Sequence, residues 1–251
     1  MRRMTLMSLA ALLLTLGLGL AAWRILSAPQ VLRVAVGPAA SEDARLIAAA
    51  GQYLSREHEA LRFKIVPTDG EAESAKAVDD GRADLAVVRT DVAMPERAQT
   101  VAIMHRDAVV IVAPLSGGIK TIADLRDRTV GIVRRISANG RLLELLLSHY
   151  ELPTESVRKV MLGGPEEVEP ALRSGQIDAA LAVGTVNGRA VSATVAAVTA
   201  AGDGAGPVFL PVNEAEAIAQ PSPHHDVFDI VRGAFGGTPP RPAETVKALG
   251  V

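Results

Sequence analysis

The feature that most constrains this chain is that it contains the same folding unit twice. From Val31, apolar β-type runs alternate with helical patterns, and the sequence predicts strands and helices at Leu32–Gly37, Glu42–His58, Leu61–Thr68, Glu71–Asp80 and Leu85–Val88. The same order returns at Thr129–Val133, Ser137–Tyr150, Val157–Leu162, Pro165–Ser174 and Ala179–Val183. Adding 94 carries Gly37 onto Gly131, Val66 onto Val160, Gly70 onto Gly164, Glu73 onto Glu167, Gly81 onto Gly175 and Asp84 onto Asp178. The first helices align only after a further shift of about two residues, as loop insertions permit. A β-α-β-α-β order demands a parallel sheet with right-handed crossovers. The expectation is therefore an α/β fold of two lobes, each a parallel sheet flanked by helices.

In each copy a helix ends at glycine, Gly81 or Gly175, and an aspartate three residues on leads into an apolar strand. Glycine supplies the left-handed residue that stops a helix, and aspartate satisfies backbone groups where the chain turns into a sheet. Both aspartates are read as structural. Between the copies, Ala108–Ala113 is a continuous apolar run that suits a hinge-crossing strand, followed by a short helix at Ile122–Arg126.

The N-terminus is of another kind. Met1-Arg2-Arg3 precedes an uncharged apolar stretch, residues 4–22, then Trp23 and Arg24. That length suits a helix crossing a hydrocarbon layer of ~30 Å with its basic end on the cytoplasmic side. Leu26-Ser27-Ala28 lacks the small-x-small pattern of a cleavage site, so an uncleaved anchor is favoured over a signal peptide. The expected division is 1–29 as membrane segment, 30–106 as the first lobe, 107–190 as the second lobe, and 191–251 as a segment returning towards the first lobe and shortened at its end.

Composition narrows the chemistry. There is no cysteine, which removes disulfides, thiolate catalysis, iron–sulfur clusters and Cys-ligated zinc. A net charge of −2 gives no basic field for a phosphate backbone, so nucleic acid is not an expected partner. Aromatics make up only 3%, too few for a cage of stacked rings. Adjacent His224 and His225 point opposite ways on an extended chain and have no evident third ligand. Ser116–Thr121 ends in Lys-Thr but lacks the glycine and spacing of a phosphate-binding loop. No cofactor or metal is expected, and no arrangement calls for an enzyme.

In open α/β sheets ligands sit beyond the carboxyl ends of the strands, where helix N-termini aim free N–H groups. That rule selects Gly37, Ser41, Thr68, Asp69, Arg89 and Thr90 in the first copy, and Arg134, Arg135, Ser137, Asn139 and Thr185 in the second. Ser41 and Ser137 are equally good helix caps. Gly37 and Gly131 suit close backbone approach or a tight turn. Arg89, Arg134 or Arg135 would grip a carboxylate through two parallel hydrogen bonds.

The chain resembles the type II periplasmic solute-binding proteins. The passage Lys120-Thr121-Ile122-Ala123-Asp124-Leu125-Arg126-Asp127-Arg128-Thr129-Val130-Gly131 is similar to the one that opens their second lobe, and Gly175–Asp178 is similar to their Gly-x-x-Asp turn. Within that superfamily the nearest likeness is to the TAXI-type receptors of TRAP transporters. Receptors of ABC importers for thiamine precursors, nitrate or sulfonates are the alternative. The loop Gly37–Glu42 departs from the glycine- and tyrosine-rich loop of TAXI receptors. The resemblance implies an extracytoplasmic receptor that captures a small anionic organic solute, such as a carboxylate, between two lobes and presents it to membrane permease subunits. An enzyme or a sensory module on the same scaffold is the other class of reading.

Overall fold

The structure, a computed structural model, describes residues 13–20, 23, 29–39, 41–58, 60–134 and 136–251. The expected membrane segment lies mostly outside the described residues; of it, residues 13–20 are helical. Among the described residues no helix is long and apolar enough to cross a membrane. The chain divides into two compact units, Met1–Gln99 and Thr100–Val251.

The first unit is a parallel sheet ordered β2-β1-β3. Its strands are β1 (Gln30–Val36), β2 (Leu61–Pro67) and the short β3 (Leu85–Ala86), joined through helices Glu42–Glu57 and Glu71–Asp79. Alternation divides β1 between two small cores. Val34 and Val36 pack with Ala44 and Ile47 on one face, and Ala35 packs with Ala77 and Ala83 on the other. β3 is shorter than the Leu85–Val88 run predicts because β1, its only partner among the described residues, ends at Val36; the last bond between them is from the Val87 N–H to the Ala35 carbonyl, 2.9 Å.

The second unit is larger. Its sheet runs β6-β5-β7-β4-β10-β9, with β8 also pairing β4. The strands are β4 (Ala108–Ala113), β5 (Thr129–Val133), β6 (Arg158–Leu162), β7 (Ala179–Gly184), β8 (Val208–Phe209), β9 (Asp226–Ile230) and β10 (Val246–Gly250). β4 has all six residues buried. It reads as an unbroken apolar run because both sheet faces are covered: Val109, Ile111 and Ala113 belong to one core, and Ala108, Val110 and Val112 to the other. Helix Ser137–His149 sends Leu142, Leu143, Leu146 and Leu147 into the first of these cores at helical spacing. The expected Pro165–Ser174 helix forms as a 3-10 turn, Pro165–Glu167, followed by an α-helix, Val168–Arg173. Pro170 has no N–H to give, so only the first turn of a helix accommodates it.

Residues 191–251, expected to return towards the first lobe, stand in the second unit. β8 pairs antiparallel with β4, β10 with both β4 and β9, and helix Arg189–Ala201 packs on the β7 face.

Strand register refines the internal repeat. Val66 of β2 and Ala86 of β3 both face Ala35 of β1, while Val160 of β6 and Ala180 of β7 both face Gly131 of β5. The offset of 94 therefore holds for the second and third strands, but the first strands correspond at 96. Gly131 matches Ala35, and Gly37 does not match Gly131. The extra residues of the first copy lie in its longer first helix, 16 residues against 13, and in the loop before it; the loop after the helix is the shorter one.

With that correction the Gly-x-x-Asp turns superimpose in detail. Asp84 accepts the Arg33 N–H at 2.8 Å, and Asp178 accepts the Thr129 N–H at 2.7 Å. Each aspartate returns its own N–H to the same residue's carbonyl, at 2.8 and 2.7 Å. Gly81 and Gly175 take left-handed φ of 68° and 72°. Both aspartates thus clamp the start of a first strand to the start of a third. In the first unit the Arg33 guanidinium also bonds Asp84, at 2.7 and 3.1 Å, and together with the Arg33 N–H it lowers the Asp84 pKa to about 2. In the Lys120–Gly131 passage Asp124 accepts the Lys120 and Thr121 N–H groups at 3.0 and 2.9 Å, which holds its carboxyl below the usual range. Ile122 and Leu125 of that passage are buried. The motif that carries the resemblance is a folded turn, not a ligand contact.

Candidate functional site

Each unit gathers its candidate residues at the carboxyl ends of its own parallel strands, and the structure sorts them into scaffold and surface. In the first unit Gly37 follows β1 and abuts the loop after β2. A Cβ there would lie 2.4 Å from Thr68 Oγ1 and 2.6 Å from both the Thr68 carbonyl oxygen and the Gly70 nitrogen. Close approach between two backbone segments accounts for this glycine. Thr68 is buried, its hydroxyl shared with the buried Ser74 at 2.7 Å. Its hydroxyl is thus already engaged within the protein. Ser41 is a working N-cap, accepting the Ala44 N–H at 3.1 Å.

Asp69 is exposed, and its N–H donates to Glu73 at 2.8 Å. The equivalent turn of the second unit has the Gly163 N–H donating to Glu167 at 3.0 Å. Arg89 is not an open cation. Its guanidinium forms a two-point pair with Asp91, 2.6 Å from Nε and 2.9 Å from Nη2, with side chains only 11% and 7% exposed. An Arg-x-Asp turn is a recognisable signal for such a pair. Thr90, between them, is half-buried.

In the second unit Arg134 follows β5, is exposed, and holds φ at 63°. A left-handed arginine is sterically costly and is worth attention as a functional constraint. Its carbonyl accepts the Ile136 N–H at 2.8 Å, closing a tight turn that delivers the chain to helix Ser137–His149. Arg135 lies outside the described residues. The N-cap of this helix is Ile136, which has no polar side chain, so no side chain caps the helix and Ser137 instead occupies its first turn. Arg134 thus stands two residues before a helix start that no side chain caps; cationic residues and helix N–H groups are both of the polarity that suits an oxyanion.

Asn139 is fully buried, and its amide donates to the Val133 carbonyl at 3.1 Å. That bond ties the end of β5 to the helix. Thr185 is half-buried after β7, with its carbonyl accepting the Gly188 N–H at 2.8 Å.

A doubled β-α-β-α-β unit with polar post-strand loops is the framework of the periplasmic-type binding proteins. Residues 34–199 match the family described as ABC transporter, phosphonate, periplasmic substrate-binding protein, and the chain belongs to that family. The family consists of binding components of transporters, not enzymes, and implies an extracytoplasmic location. Membership favours the ABC alternative over the TAXI-type TRAP reading.

Among solved structures, the chain is similar to the alkanesulfonate-binding protein SsuA from Xanthomonas axonopodis pv. citri bound to MOPS, with 21% identity, 61% of this chain and 54% of that chain covered, and a TM-score of 0.38. It is also similar to the periplasmic aliphatic sulphonate binding protein SsuA from Escherichia coli, with 19% identity, coverage of 77% and 68%, and a TM-score of 0.49. A third likeness is to the BvgS VFT2 domain of Bordetella pertussis, with 24% identity, coverage of 62% and 66%, and a TM-score of 0.40. The chain thus spans between about half and two thirds of the length of these structures. A search of curated proteins gives no match.

Proposed function

We propose that this chain is the substrate-binding component of an ABC importer for a small organic oxyanion, a phosphonate, sulfonate or carboxylate. The observation that carries the reading is the turn at the end of β5, where Arg134, held left-handed, stands beside a helix start that no side chain caps. A guanidinium supplies paired donors in a planar fork, and free helix N–H groups add donors to the same anion. Family membership supports delivery to membrane subunits that hydrolyse ATP. A TRAP permease is the second reading, from the likeness to TAXI-type receptors within the type II superfamily, and a neighbouring gene for an ATPase decides between them.

The experiment is a calorimetric titration of the full chain with methylphosphonate, methanesulfonate and succinate. Saturable binding of at least one of them, weakened tenfold or more in R134Q, is the expected result; no binding of any, or equal affinity in R134Q, overturns the reading. Asp69→Asn and Thr90→Ala read the contribution of the first unit.

A further inference from the structure

The second unit contains a cavity of about 280 Å³ lined by Val186, Asn187, Ser192, Val195, Phe235 and Arg241, with Ala196 at its exposed rim. None of these belongs to the turn at Arg134. The walls come from the loop after β7, helix Arg189–Ala201 and the loop between β9 and β10. Phe235 is fixed by stacking on Phe209, with ring centres 5.4 Å apart and planes within 14°.

Arg241 is the charged member. It has no carboxylate within 4.0 Å among the described residues, and its Nε is buried without an acceptor. The guanidinium lies close against Gly237, where a Cβ would come 3.1 Å from Nε and 3.3 Å from Cζ. A buried cationic N–H with no acceptor carries an uncompensated loss of hydration, and an anion entering the cavity would remove it. The Asn187 amide can add a donor, while Val186, Val195 and Phe235 offer no polar group and require an apolar body. The volume lies at the small end of the range for ligand sites, about 300 Å³, which restricts that body to one ring or a short alkyl chain.

We propose that this cavity is a second binding site, for a small organic monoanion with an apolar body, of the kind represented by an aryl carboxylate. It is separate from the oxyanion turn at Arg134 and would let one receptor respond to two ligands.

The test is equilibrium dialysis of the full chain with radiolabelled benzoate, with benzamide as the uncharged competitor of the same shape. Benzoate is expected to bind saturably at one equivalent, and benzamide to compete at least tenfold more weakly. R241Q is expected to weaken benzoate tenfold or more, and R134Q to leave it unchanged. Ala196→Phe fills the rim from an exposed helical position without touching Arg241. It is expected to abolish binding while the circular dichroism spectrum stays that of the parent, which keeps the test decisive if R241Q fails to fold. Benzoate uptake without saturation, equal competition by benzamide, or undiminished binding in A196F or in a folded R241Q overturns the proposal. Loss of benzoate in R134Q would assign it to the other site and overturn the proposal equally.

Discussion

Replacing Arg134 separates what that residue does for folding from what it does for binding. Its φ of 63° places an L-residue in the left-handed region, at a cost of roughly 1–2 kcal/mol. Glycine removes that cost but loses more chain entropy on folding, roughly 0.5–1 kcal/mol. R134G should therefore be more stable than the parent by about 0.5–1 kcal/mol, a rise of roughly 1–4 °C in Tm for a domain of this size. R134A keeps the strained backbone and should stay within about 0.5 kcal/mol of the parent. Both remove the guanidinium, and a hydrogen bond to a charged group contributes about 1.5–3 kcal/mol, so affinity for the oxyanion should fall roughly 10- to 150-fold in each. Since Arg134 is exposed, screening favours the lower end. Calorimetric titration and thermal denaturation of the three proteins make the check. A lower Tm for R134G, or parental affinity in either variant, would refute the reasoning, because the strain would then have no connection with a charge needed at that place.

Other outcomes follow from the scaffold. Gly37→Ala forces a methyl against the Thr68 and Gly70 backbone, and denaturant titration should show a loss of roughly 1–3 kcal/mol. Gly131→Ala meets side-chain atoms of Ile177 and Leu162 and no backbone, and should lose less than Gly37→Ala. Asp84 has a folded pKa of about 2, below the unfolded value of ~3.9. Its stabilisation is complete above pH ~4 and lost as the pH falls towards 2. Amide exchange at Arg33 should accelerate across that window in the parent, whereas Asp84→Asn should exchange fast throughout. Leu146→Ala opens a void under the second-unit sheet, where Leu146 is fully buried; a loss of roughly 2–5 kcal/mol is expected by chemical denaturation.

Sequence pattern alone carried the element order of both copies, the apolar strand Ala108–Ala113 and the structural reading of Asp84 and Asp178. These depend on local rules: alternation for strands, helical spacing for buried leucines, and glycine where a left-handed residue must end a helix. The candidate site was legible only as a set of loops. Thr68 and Asn139 share the residue types and positions of solute contacts, and only tertiary packing turned the one towards Ser74 and the other towards the Val133 carbonyl. Arg89 and Arg134 are equally plausible anion ligands in one dimension. Asp91 neutralises the first, and a left-handed turn leaves the second exposed. Strand register, which depends on pairing across the sheet, showed that Gly131 corresponds to Ala35. Position along the chain determined which residues could meet at a strand end; which side chains have their polar groups already satisfied was decided by neighbours distant in sequence, because hydrogen bonding and burial are properties of the assembled surface.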